Sequence, residues 1–285
     1  PISLAASSIE NIDIPHNRPQ IRQRYKLLDI GASDGATEVT PPGRYPRLRG
    51  WLGGSVAVRS ALSTPYSLRM RRAFSAELDE LIGDVARLAR RAGQMMTDAS
   101  TALWHPDLRL AETIISGDSE ITTALCDDIG HRCVRLLALQ APVATDLRLV
   151  VAALHAVSDV MRMGKLATHI AKIARLKHPV VSLPDDLEPV FARMALLATT
   201  LAHEAARAIE NRDPRCAEQL VSVEEEVATL HRQIFQRLFA KDWSHGVEPA
   251  VDAALIGRYY TRFADHAVAI ARQASFIVTG SPPQR

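Results

Sequence analysis

Asp107-Leu-Arg109-Leu-Ala111-Glu112-Thr-Ile-Ile-Ser116-Gly-Asp118-Ser-Glu120-Ile121 is echoed 106 residues later by Asp213-Pro-Arg215-Cys-Ala217-Glu218-Gln-Leu-Val-Ser222-Val-Glu224-Glu-Glu226-Val227. Asp, Arg, Ala, Glu, Ser and the last Glu coincide, and the apolar positions correspond. A second echo, at an offset of 100, aligns Arg162-Met-Gly-Lys165-Leu-Ala167-Thr-His-Ile170-Ala171 with Arg262-Phe-Ala-Asp265-His-Ala267-Val-Ala-Ile270-Ala271. One echo between two Ala-rich helices can arise by chance. Two in the same order, at nearly the same offset, mark a duplicated unit.

Outward from these echoes the chain reads as helix after helix. Phe74, Leu78, Leu81, Ile82, Val85, Leu88, Ala89, Met95 and Met96 recur at spacings of three and four, which predicts an amphipathic helix of about seven turns from Met70. Further helices are expected at about 107–139, 143–176, 185–211, 213–241 and 248–278. The breaks between them fall at His105-Pro106, Ala141-Pro142, His178-Pro179, Asp213-Pro214 and Glu248-Pro249. Proline suits the first turn of a helix and disrupts its interior. The predicted fold is all-α: a tandem duplication of a three-helix bundle, six long helices in total. The first bundle is expected at 70–178 and the second at 183–280, with the linker near 176–186. Residues 1–69 lack any sustained period and carry Pro15, Pro19, Pro41, Pro42, Pro46 and Pro65 among many glycines. They are expected to form a poorly ordered extension.

Composition agrees and narrows the function. Apolar residues make up 47%, charged residues 23% and aromatics only 5%, a balance that favours helix-on-helix packing over sheets. No run of about 18 uncharged apolar residues is present, so direct membrane insertion is not expected. The net charge of +2 hides a basic residue 1–69 segment and a folded region slightly acidic overall, which does not suit a nucleic-acid binder. Cys126, Cys133 and Cys216 form no CxxC pair, and cysteines seven residues apart on one helix lie roughly 10 Å apart along its axis, too far for a disulfide. A reducing, cytoplasmic setting is expected. No G-x-S-x-G, phosphate-cradling Gly-rich loop or H-E-x-x-H is present, and no Glu has His three positions on, so an enzyme is not expected.

Three stretches resemble the PhoU family. Met70-Arg-Arg-Ala-Phe74-Ser-Ala-Glu77-Leu78-Asp79-Glu-Leu81 looks like its opening. Gln140-Ala-Pro142-Val-Ala-Thr-Asp146-Leu-Arg148-Leu-Val-Val-Ala-Ala-Leu154 looks like one of its most specific signatures. Arg258-Tyr259-Tyr260-Thr261-Arg262-Phe263-Ala264-Asp265-His266-Ala267 resembles the segment that closes its second repeat. The resemblance covers about 70–280, and the Ala- and Arg-rich composition suggests an actinobacterial-type (PhoY-like) member. It implies a regulatory adaptor that restrains phosphate uptake and represses phosphate-starvation signalling when phosphate is plentiful. The implied partners are the ATPase subunit of a phosphate ABC transporter and a membrane sensor histidine kinase, with a homodimer as a further assembly. The partner-binding residues to be tested are Asp146, Arg148, Arg162, Arg258, Tyr259, Tyr260 and Arg262.

Some members of the family also bind iron or other metal clusters through E/D-x-x-x-D on the third helix of each repeat. Carboxylates four apart share one helical face and can chelate a hard cation together. Here that motif falls on Met161 and Lys165 in the first repeat and on Thr261 and Asp265 in the second, so three of its four positions are not ligands. No cofactor is expected. The alternative is a metal-dependent sensor or storage protein whose iron or zinc cluster draws on Asp159, Glu112, Glu218 and Asp265. The bland readings of the remaining polar groups are surface or inter-helix contacts for His155, Asp159, Asp265 and His266. Glu80, Asp84 and the run Glu224-Glu225-Glu226 are expected to face water, and Asp146 and Arg148 to act as first-turn capping or ion-pair residues.

Overall fold

The computed structural model describes residues 65–181 and 183–281. Among these residues seven α-helices follow one another: α1 (Pro65–Trp104), α2 (Leu108–Glu112), α3 (Ser119–Gln140), α4 (Ala144–Lys177), α5 (Glu188–Asn211), α6 (Cys216–Leu238) and α7 (Val247–Thr279). A π-helical segment, Thr113–Asp118, joins α2 to α3, so these three pieces make one interrupted helix and the long helices number six. No strand occurs among the described residues. The expected low-order extension at 1–69 lies outside the described residues up to 64, and its last five residues are the opening turns of α1. Pro65 starts that helix, where its missing N–H is no loss.

The sequence echoes become structural equivalences. Asp107 and Asp213 hold corresponding positions before the second helix of each repeat. The Asp107 carboxylate accepts a hydrogen bond from the Leu110 N–H at 3.0 Å, and that of Asp213 accepts one from the Arg215 N–H, also at 3.0 Å. On α4, Met163, Gly164, Ala167, Thr168, Ile170 and Ala171 are buried. On α7 the buried set is Phe263, Ala264, Ala267, Val268, Ile270 and Ala271, the same positions 100 residues on. Arg162 and Arg262 are exposed in both copies.

The two repeats share one core. α1 packs on α4 and α5, and α7 packs on the same two helices, so the four form a closed bundle with α3 and α6 laid on the outside. The α1–α5 seam runs antiparallel. Arg90 pairs with Glu210, the Thr97 and Thr199 hydroxyls meet at 3.0 Å, and Trp104 lies 6.2 Å from Phe191 between ring centroids. Both seams between equivalent helices, α1–α5 and α4–α7, are antiparallel, as a two-fold axis perpendicular to the helices would make them.

Close approach at the first seam depends on Gly93. A Cβ there would lie 3.0 Å from the Ala202 Cβ, a short atom with no rotamer to retreat into. Gly93→Val should therefore destabilise the fold by about 1–3 kcal/mol through overpacking, despite removing a helix-interior glycine. The check is a thermal melt, where each kcal/mol corresponds to roughly 2–4 °C in a protein of this size. An unchanged or raised melting temperature would mean that the seam has room to spare.

The cysteines are free and buried, and burial pushes the Cys126 and Cys133 thiols up to about 11. They are small apolar packing residues in α3, protonated at neutral pH and poor nucleophiles.

Candidate functional site

The residues singled out from the sequence gather along the α4–α7 seam. Position along α4 rises as position along α7 falls. At one end the Arg148 Nε–H donates to the Ile277 carbonyl at 3.1 Å, and its terminal N–H donates to Thr145 Oγ1 at 3.0 Å. In the middle Asp159 and His266 meet at 2.9 Å. Further along, the His169 and Tyr259 rings stack at 5.2 Å. At the far end Lys177 pairs with Glu248 and, at 3.0 Å, with Asp252. Lys177 also lies in the last turn of α4, where a cation complements the helix dipole.

This register sets Met161 level with Asp265 and Lys165 level with Thr261. Between them opens a cleft of about 350 Å³ lined by Arg162, Lys165, Leu166, His169, Arg262 and His266. The lining is cationic on both helices. The two carboxylates beside it are engaged: Asp159 with His266, and Asp265 with Arg262 at 3.0 Å. Burial holds the His169 imidazole below its ordinary range, and the Lys172 ammonium adds to that. Outside the cleft, burial raises the Glu224 carboxyl above its usual range. Asp265 and Glu225 add to the rise, and Arg272 opposes it.

A metal cluster does not fit these residues. Stable sites need several converging donors, yet the family motif here contributes a thioether packed on the core, an ammonium and a hydroxyl bonded to the Gly257 carbonyl. Among the described residues no group of three or more His, Cys, Asp or Glu side chains is placed to hold an ion. Glu112 and Glu218 are exposed on α2 and α6 and join no such group.

Several sequence-based expectations need correction. Tyr260 is fully buried and cannot meet a partner, because it continues the stripe Ile256–Tyr260–Phe263–Ala267 into the shared core. Tyr259, one residue earlier, is half-buried against His169. Arg148 is tied down by the α7 carbonyl and Thr145, which makes it a strut between helix ends. Asp146 stands in the first turn of α4 and supplies no side-chain cap. Asp84 does not simply face water; with Glu80 it holds Arg132 of α3 against α1. In the acidic run, Glu226 pairs with Arg193 at 2.7 Å and Glu224 with Arg272 at 3.8 Å, leaving only Glu225 fully exposed. Arg162 and Arg262 remain exposed on the seam, and Arg258 is exposed on α7.

Comparison with known proteins bears on this arrangement. The PhoU domain family matches residues 85–174 and again 191–274, one match per repeat. The chain is 42% identical over 214 residues to the phosphate-specific transport system accessory protein PhoU homolog 2 of Mycobacterium tuberculosis, covering 75% of this chain and 100% of that one. It is likewise 42% identical over 215 residues to PhoU homolog 1 of Mycobacterium leprae, covering 75% and 96%. The crystal structure of PhoU from Pseudomonas aeruginosa superposes with a TM-score of 0.66 at 23% identity, covering 73% of this chain and 100% of that one. That of the phosphate transport system regulatory protein PhoU from Streptococcus pneumoniae gives 0.63 at 24%, covering 74% and 100%. Two family matches laid on two structurally equivalent repeats, together with relatives matched over nearly their whole length, make this chain a member of the PhoU family.

Proposed function

We propose that this chain is a phosphate-transport regulator that works by docking, without chemistry of its own. It restrains phosphate uptake and represses phosphate-starvation signalling when phosphate is plentiful. Its partners in this reading are the ATPase subunit of a phosphate ABC transporter and a membrane sensor histidine kinase, met from the cytoplasmic side. The observation that carries the reading is the 42% identity, across the whole length of the relative, to a phosphate-specific transport system accessory protein. Two further features support it. No nucleophile–base constellation was found in the sequence, and no described helix is long and apolar enough to cross a membrane. The metal-sensor alternative gains nothing from the donor set described above.

Among the exposed arginines, Arg258 of α7 is the proposed docking residue, because charged residues at an interface rim set encounter rate and orientation. The tagged full chain from phosphate-replete cells should co-purify with the transporter ATPase and the kinase. Arg258→Glu should reduce the recovery of at least one of them about tenfold without changing the melting temperature, since Arg258 is exposed. Recovery of neither partner with the unaltered chain would overturn the docking reading.

A further inference from the structure

We propose that the α4–α7 cleft binds a small phosphate-type oxyanion, held by Arg162, Lys165 and Arg262 over the Leu166 side chain. Three observations carry this. First, the cleft is lined by three fixed cations and two imidazoles, with no carboxylate in its lining. Second, Arg162 and Lys165, which line the same cleft, take part in no ion pair or side-chain hydrogen bond among the described residues. Third, the neighbouring carboxylates leave the balance positive. Asp159 is met by His266, and Asp265 occupies one N–H of Arg262, whose guanidinium carries five donors. Arginine forks match the oxygens of a phosphate group, and lysine adds a point charge.

The repeat explains how such a site arises. Arg162 and Arg262 are the same position in the two copies and face each other across the antiparallel seam. Lys165 and Asp265 are likewise equivalent, so the exchange of one carboxylate position for lysine tips the seam from balanced to cationic. A volume of about 350 Å³ falls at the lower end of small-molecule pockets, roughly 300–1,000 Å³. That leaves room for one phosphate with its waters or for a short phosphate chain, and it favours a small ligand over a macromolecular surface.

The test is calorimetric titration of the full chain with orthophosphate, pyrophosphate and ATP, each at constant ionic strength with chloride as the control. At least one should bind saturably, one per chain, with a dissociation constant of about 1 mM or tighter. Lys165→Met and Arg162→Met should each weaken it about tenfold or more at an unchanged melting temperature, because both side chains are exposed. Tightest binding of orthophosphate would identify the free ion as the ligand, and tightest binding of ATP a nucleotide. No saturation by about 10 mM with any of the three, or equal affinity in both variants, would overturn the site. Loss of partner recovery in Lys165→Met without any anion binding would overturn it in favour of an acidic partner surface. The inference and the docking proposal fail separately: Arg258 lies outside the cleft lining and reports on docking alone.

Discussion

Tyr260→Ala should cost about 3–5 kcal/mol of stability, a large share of the roughly 5–15 kcal/mol that holds a typical domain together. The ring is fully buried and lies 6.2 Å from Phe191, which in turn lies 6.2 Å from Trp104. This aromatic row joins α7 to α5 and α1, and so joins one repeat to the other. Its hydroxyl meets Ser100 Oγ at 2.6 Å, and the Ser100 hydroxyl donates onward to the Met96 carbonyl at 2.6 Å, so the phenol is the donor to serine. Tyr260→Phe keeps the packing and removes only the hydroxyl, and should cost about 1 kcal/mol. Denaturant unfolding of both variants separates the two contributions. In both, the described helices should unfold in one transition, because a shared core leaves neither repeat a boundary of its own. Two resolved transitions would show that the repeats are stabilised independently.

Much of the fold was legible because it is written in local periodicity and in repetition. The apolar spacing of three and four from Phe74 onward gave α1, and the prolines gave the links. The paired echoes gave the duplication, with Asp107 and Asp213 at matching positions, although only Asp107 caps its helix. The π-helical segment at Thr113–Asp118 was not legible, since one extra residue in a helical turn leaves the surrounding pattern nearly unchanged. The fusion of the repeats into a single core was not legible either. Each helix shows its apolar face, but not which of several similar faces will cover it.

The site was legible in part. The family-like motif positions pointed to the α4–α7 region, and Lys165 already argued against a cation there. What was missing was register. Asp159 with His266, and His169 with Tyr259, lie about a hundred residues apart, and only the antiparallel seam brings them together. The burial of Tyr260 does have a sequence signal: it stands in phase with Ile256, Phe263 and Ala267, whereas Tyr259 is about 100° away around the helix. The acidic run at Glu224–Glu226 gave no such warning, because its arginine partners Arg193 and Arg272 come from other helices.

The largest expected effect in the cell is loss of repression. A regulator that holds starvation signalling off works only while it is present, so its removal should mimic phosphate starvation in cells that are not starved. The direction follows from the docking role proposed above: if the chain couples the transporter to the kinase, its removal releases the kinase from that restraint. Other family members in the same cell would mask the effect, so they must be removed as well. The direct measurement is therefore transcription of the phosphate-starvation genes during growth in plentiful phosphate, in a strain lacking this gene and every PhoU paralogue. The account predicts expression near the starved level, returned to silence by restoring this chain alone. Genes that stay silent in that strain would contradict it.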